Sequence, residues 1–175
     1  MSERVYIGLG SNMGDREDAL CRAVEALSRI DAVAVFRRSS LYDTAPIGPA
    51  QRRFLNAVVE IEAGLAPQRL FGILKQIEKD LGRMDSKRWA PRPIDLDIIL
   101  WVGRLIAEPN LQVPHLEMHQ RRFVLEPLCE LAPQLRHPVL NASVAELLAQ
   151  LPKQDVVRVT SPVWRSEDAL EEEAR

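Results

Sequence analysis

"RWAPRPIDLDII", residues 88–99, sets Ile94, Leu96 and Ile98 in alternation with Asp95 and Asp97. A period of two is the signature of a β-strand, so the apolar residues take one face and both carboxylates the other. Pro91 and Pro93 hold the approach to this strand extended around Arg92. Upstream, Leu70, Ile73, Leu74, Ile77 and Leu81 recur at three- and four-residue intervals, which predicts a helix from Pro67 to Leu81 that stops at Gly82. "FLNAVVEIEA", residues 54–63, reads as a strand, and "APIGPAQR", residues 45–52, as a Pro/Gly loop. "VAVFRRSSLYDT", residues 33–44, is strand-like with polar interruptions. Nearer the start, Val5, Ile7 and Leu9 form a first strand that ends in a turn at residues 10–12, and Leu20, Val24, Leu27 and Ile30 mark a helix over 15–30. Downstream come a strand to Trp101, a short extended piece at 111–113, and helices over 123–131 and 144–151. Strand, helix, strand, strand, helix, strand is the alternation of a ferredoxin-like α+β fold: an antiparallel sheet with helices packed on one face, here with flexible loops.

A chain of 175 residues, 46% hydrophobic and 27% charged, suits a single domain, expected over residues 1–160 with a polar tail over 161–175. A formal net charge of −2 gives no bulk attraction to nucleic acid or to an anionic membrane, so any anion site has to be a local cluster. "MSERVYIGLG" has no apolar targeting core and no stretch reaches membrane-spanning length, which leads to the expectation of a cytoplasmic protein without nucleic-acid or membrane partners. Cys21 and Cys129 have neither metal-ligand spacing nor a secretory context and read as core thiols.

Asp95 and Asp97 on one strand face repel each other unless neutralised. Their hard oxygens suit Mg²⁺ bridged to phosphate, or else they face only water. The surrounding basic residues favour the first reading: Arg83, Lys87, Arg88 and Arg92 precede the pair, and Arg121 and Arg122 follow near His115 and His119. Guanidinium forks match polyphosphate oxygens, although each arginine could equally serve a surface ion pair. "RMDSK", residues 83–87, has the character of a lid, and Trp89 is either a packing anchor or a stacking surface for a flat ring.

No P-loop pattern occurs, and "GLGSNMG", residues 8–14, misses the dinucleotide fingerprint by one residue, so its glycines read as a tight strand-to-helix turn. Asn12 either caps the following helix or braces a loop. Phe54 and Asn56, two apart on one strand face, offer a flat apolar surface and an amide edge to a planar polar molecule, or alternatively serve as core and brace. Phe123 is a second aromatic of the same ambiguity.

Gly10-Ser11-Asn12, Ser40 to Gly48, Phe54-Leu55-Asn56-Ala57, Gly82-Arg83, Arg88 to Asp97, Val113-Pro114-His115 and Arg121-Arg122-Phe123 together resemble the 6-hydroxymethyl-7,8-dihydropterin pyrophosphokinases of folate biosynthesis, over roughly residues 4–150. The arginine, proline and Asp-Leu-Asp block is the specific part of that likeness. The resemblance implies a ferredoxin-like kinase that binds ATP beside a bicyclic pterin, moves pyrophosphate to the pterin hydroxymethyl group and releases AMP. It implies two Mg²⁺ ions on Asp95 and Asp97, with Arg83, Arg92 and Arg121 acting on the phosphates. Nucleotide contacts fall on Glu78, Arg88, Trp89, Ile98 and His115, and pterin contacts on Thr44, Ala45, Ile47, Phe54, Asn56 and Phe123. Departures from the family pattern occur at Lys75, where glutamine is common, at Met84 and Asp85, at Ala90 and at Leu116. Two other functions use part of the same residue set: a noncatalytic pterin or nucleotide-binding module, and a two-metal nuclease-like enzyme.

Overall fold

The computed structural model describes residues 1–85 and 87–164. Its elements are β1 (Glu3–Ser11), α1 (Arg16–Ser28), β2 (Val33–Arg38), β3 (Leu41–Thr44), β4 (Phe54–Ala63), α2 (Pro67–Asp80), β5 (Asp95–Trp101), β6 (Ile106–Glu108), β7 (Leu111–Val113), α3 (Arg122–Leu131), α4 (Val144–Gln150) and β8 (Val156–Val159). One antiparallel sheet runs β5-β1-β4-β3-β8, with β2 also on β4, while β6 and β7 form a separate ribbon. With β2 and β3 counted as one interrupted strand, the first four strands stand in the ferredoxin-like order.

The interruption has a chemical cause. Ser39 and Ser40 are both buried, and their polar groups bond outside the strand ladder. The Val58 N–H donates to the Ser39 hydroxyl at 2.9 Å, and the Ser40 N–H donates to Glu130 at 2.8 Å. Side-chain competition of this kind ends one strand and starts the next.

Val5, Ile7, Leu9, Leu55, Ala57, Val59, Ile61, Leu96 and Ile98 turn to the face covered by α1 and α2, where they meet Leu20, Leu27, Leu70 and Leu74. Helices were expected on one face only, yet α3 and α4 cover the other. Tyr6, Val58, Ile99 and Leu100 supply the apolar groups that α3 packs against. A sheet with apolar residues on both faces needs two covering layers. Asp15 caps α1 by accepting from the Asp18 N–H at 3.0 Å, and Gly82 ends α2 at a φ of +98°, a conformation natural to glycine.

Packing extends beyond the expected boundary at residue 160. Trp164 is buried in the core and donates its indole N–H to the Ser39 carbonyl at 2.7 Å. Residues 165–175, most of the expected polar tail, lie outside the described residues.

One stability prediction follows from His137, whose Nδ1 accepts from the Val139 and Leu140 N–H groups at 3.2 and 3.1 Å. Burial, and then His119, push His137 below the ordinary value of 6.5, so the unfolded chain holds more protons just below that pH. Stability therefore falls as the pH drops from about 6.5 through the lowered native value. In urea unfolding at about pH 7.5 and 5.5, His137→Asn is expected to show a smaller pH-dependent loss than wild type. Comparison with the variant cancels the opposing contributions of Glu78 and Asp95, which burial pushes upward. Equal losses in both proteins would rule out the assignment to His137.

Candidate active site

The cleft opens on the sheet face that carries the two aspartates. Strand register places Gly8 opposite both Asp97 and Val58, and Gly10 opposite both Asp95 and Asn56. Two glycines in alternation on one strand face thus make a floor without side chains, with carboxylates on one side and an amide on the other. These glycines were expected to form a turn; they lie inside β1, and the first strand continues to Ser11. The strand-to-helix turn falls instead at residues 12–15.

A Cβ at Gly10 would lie 2.7 Å from Asn56 Oδ1, closer than nonbonded atoms tolerate. Asn56 is itself buried, and its Nδ2 donates to the Thr44 hydroxyl at 2.7 Å, which leaves its second N–H for the cleft. Overpacking of this kind costs about 1–3 kcal/mol, so Gly10→Ala is expected to lower stability by about that amount. Urea unfolding checks it; unchanged stability would refute the close packing of Asn56 on the glycine.

Thr44, Ala45, Ile47, Phe54 and Phe123 line the same cleft as Asn56, and Thr44 and Phe54 pair beside it across β3 and β4. Trp89 is a packing anchor that also reaches the cleft. Its indole lines the cleft and also packs on Gly48, where a Cβ would come within 3.0 Å of the ring. Arg88 stacks on that indole, 5.0 Å from the ring centroid, and does not line the cleft.

Asn12 is a brace, not a cap. Its Oδ1 accepts from the Arg92 N–H at 2.8 Å, its own N–H donates to the Arg92 carbonyl at 3.1 Å, and its Nδ2 donates to Gln51 at 2.9 Å. One buried side chain thereby ties the loop before β5 to the loop before β4. Arg92 departs from a fixed backbone because Asn12 clamps both of its peptide groups and prolines flank it.

The acidic end is a chain of charges. Arg83 donates to Glu78 at 2.8 Å and to Asp95 at 2.6 Å, and Arg92 reaches Asp95 at 3.0 Å. Glu78, only 2% exposed, also accepts from the Lys75 ammonium at 2.9 Å and from the Leu96 N–H at 2.7 Å. Burial pushes Glu78 upward, and the cations and the Leu96 N–H pull it back. Burial and then Asp97 push Asp95 upward against Arg92 and Arg83. Glu78 and Arg83 stand behind Asp95 and do not line the cleft, so they reach a ligand there through Asp95 or by moving. Lys75 joins this network through its i, i+3 spacing from Glu78, a local signal that marks it as a partner.

Asp97 faces the cleft and has no hydrogen-bond or ion-pair partner among the described residues. Opposite it, His115 is held below its ordinary value, first by burial and then by Arg121, while the nearby Asp97 pulls the other way. Its Nδ1 accepts from the Glu117 N–H at 3.2 Å, so a neutral ring carries its proton on Nε2. Arg121 lines the cleft with its guanidinium 5.7 Å from the Phe123 ring centroid and paired to Glu117.

The Ile98 side chain is 4% exposed and sits in the core beside Leu96, whereas Ile99 follows Asp95 and Asp97 in alternation and lines the cleft. Any ligand contact at Ile98 is made by its backbone. That backbone points outward from the sheet edge, as Leu96 does where it meets Glu78 and Lys75. Met84, Asp85 and Leu116 are exposed, and Ser86, in the expected lid, lies outside the described residues.

Asp95 and Asp97 offer hard oxygen ligands two residues apart on one face, and no cluster of three or more metal-ligating side chains occurs among the described residues. A divalent ion there would complete its shell with water and phosphate oxygens, which suits Mg²⁺. No helix among the described residues is long and apolar enough to cross a membrane.

Residues 6–133 match the family model of 7,8-dihydro-6-hydroxymethylpterin-pyrophosphokinase. A 2-amino-4-hydroxy-6-hydroxymethyldihydropteridine pyrophosphokinase of Pseudomonas aeruginosa is 41% identical over 160 residues, covering 91% of this chain and 98% of its own. The enzyme of the same name from Bacillus subtilis is 40% identical over 173 residues, covering 98% and 96%. Among solved structures, a Plasmodium falciparum HPPK-DHPS superimposes with a TM-score of 0.69 at 14% identity, over 86% of this chain and 45% of that larger one, a likeness of fold. With a family match across most of its length and an aspartate-glycine-asparagine cleft at its centre, the chain belongs to the 7,8-dihydro-6-hydroxymethylpterin-pyrophosphokinase family.

Proposed function

We propose that the protein transfers pyrophosphate from ATP to the hydroxymethyl group of 6-hydroxymethyl-7,8-dihydropterin and releases AMP, a step of folate biosynthesis. The observation that carries this reading is the joining of two chemically different halves in one cleft. On one side of the glycine floor β4 presents Phe54 and Asn56, on the other β5 presents Asp95 and Asp97, and Phe123, Arg92 and Arg121 line the same cleft. A flat heterocycle fits the first and a polyphosphate the second.

The hydroxymethyl oxygen attacks the β-phosphorus, the bond from that phosphorus to the bridging oxygen of AMP breaks, and the hydroxyl proton leaves to solvent or to Asp97. Asp95 and Asp97 are the residues that would hold Mg²⁺, in two ions. Bound there, that charge would neutralise the triphosphate and, with Arg83 and Arg92, offset the charge of Asp95. Arg92 and Arg121 then spread the charge that develops on the transferring and leaving oxygens, with Arg83 joining from behind Asp95. Asn56, through its bond to Thr44, fixes the heterocycle edge and so the direction of the hydroxymethyl group. Positioning and electrostatics suffice for phosphoryl transfer to a primary alcohol, with no strong general base required. Closure of the segments around Trp89 and Ile47 would keep water from competing as the acceptor.

An assay with ATP, Mg²⁺ and the dihydropterin alcohol, resolving AMP, ADP and phosphorylated pterin, tests the proposal. AMP and pterin diphosphate in equal amounts are expected. ADP would mean transfer of a single phosphoryl group, and binding of both ligands without turnover would mean a noncatalytic module.

A further inference from the structure

The segment between β3 and β4 contributes Ala45, Ile47 and Gln51 to the cleft lining and leaves β3 at Thr44, the hydrogen-bond partner of Asn56. Its two ends are adjacent, because Thr44 pairs with Phe54. Just outside this neck lies a charged cluster that the reaction itself does not use. Arg53 pairs with the Asp43 carboxylate through Nε, and its terminal nitrogens donate to Asp155 at 2.5 and 3.0 Å and to the Asp43 carbonyl at 3.1 Å. Arg16 joins from α1, donating to Asp43 at 3.1 Å and to the Arg53 carbonyl at 3.0 Å. Asp155 also acts through its backbone: its carbonyl accepts from the Ala45 N–H at 2.9 Å. Asp155 immediately precedes β8, which pairs with β3, and it lies beyond the segment that matches the family model.

We infer that Asp155, acting through Arg53, is a positioning residue for the pterin half of the cleft, and that β8 is the element that delivers it there. The inference rests on reading that half as the pterin site. Asp155 holds one end of the loop by its carbonyl at Ala45 and the other by its carboxylate at Arg53. A loop pinned at both ends has fewer arrangements to lose when substrate binds, so more of the contact energy appears as affinity. A single exposed pair would contribute little, and Asp155 is 59% exposed on its side chain. Here two carboxylates and two guanidinium groups share partners, and Arg53 bonds Asp155 through both terminal nitrogens, a geometry that holds direction as well as charge. None of these four side chains need touch the substrate, so the effect falls on pterin affinity and leaves the phosphate half unaltered.

The test uses the full chain as wild type, Asp155→Ala, Asp155→Asn and Asp155→Glu. Equilibrium binding of 6-hydroxymethylpterin and, separately, of a nonhydrolysable ATP analogue is measured beside kcat and KM, with thermal melting as a control for folding. Expected for Asp155→Ala and Asp155→Asn are a pterin Kd and KM raised by about three- to tenfold, with kcat and nucleotide Kd within about twofold of wild type. Asp155→Glu should recover most of the affinity. Added salt should weaken pterin binding more in wild type than in Asp155→Ala, because it screens the cluster. Unchanged pterin affinity in folded variants overturns the inference while leaving the proposed reaction standing. Equal losses for pterin and nucleotide, together with a lowered melting temperature, also overturn it, since they report general destabilisation. Failure of the wild type itself to bind the pterin overturns the reading of the cleft, and this inference with it.

Discussion

Replacing Asp97 with alanine is expected to lower kcat by about a thousandfold, equivalent to about 4 kcal/mol of transition-state stabilisation, while the protein stays folded. Asp97 is the better test of the two aspartates because of what surrounds each. Asp95 holds Arg83 and Arg92, so its removal would release two guanidinium groups and confound loss of a metal ligand with loss of an anchor. Asp97 has no such partner among the described residues, faces the cleft and repels Asp95, so its removal leaves no cation orphaned and relieves a like-charge contact. Stability should therefore hold or rise slightly as activity collapses, a combination that general damage to the fold would not produce. Asp97→Asn keeps the shape but not the charge and should fall between. The measurement is kcat at saturating ATP and pterin across a Mg²⁺ titration, beside a thermal melt. An Asp97→Ala variant within about threefold of wild type at high Mg²⁺ would dismiss Asp97 as a site of charge stabilisation.

Arg92→Ala is the second large effect, an expected loss of about 10²- to 10³-fold in kcat, the range for removing one fixed donor to developing oxyanion charge. Its backbone is held by Asn12 and by flanking prolines, so truncating the side chain should leave the loop in place. The variant therefore removes a guanidinium and little else. Arg92→Lys is expected to recover only a small part, since an ammonium on a flexible stem cannot reproduce a planar fork aimed at two oxygens. Binding of pterin and of a nucleotide analogue should change far less than kcat. A variant that loses affinity for ATP with kcat intact would show that Arg92 binds ground and transition states alike, and would move charge stabilisation to Arg121 or Arg83.

The two predictions trace back to features of different range. Asp95, Asp97 and their separation from Leu96 are legible in residues 94–98, because a strand sends neighbours to opposite faces whatever lies around it. Helical spacing likewise placed α1, α2 and α3 to within a residue or two, and the block from Arg88 to Asp97 was enough to suggest the family. The sequence by itself determined which residue types were available, which faces were apolar and which segments turned. Tertiary structure alone decided the neighbours. Gly8 and Gly10 look like turn residues in isolation, and become a floor only because β4 and β5 pair on either side of β1. Leu100 shares the face of Ile99 because of a bulge in the pairing with β1 that no local period encodes. Asn12 became a brace once a loop 80 residues away came beside it, and the C-terminal strand joined the sheet through pairing with β3. Periodicity reports how one segment meets solvent, whereas partner choice depends on contacts between segments far apart in the chain, and the cleft is built almost entirely from such contacts.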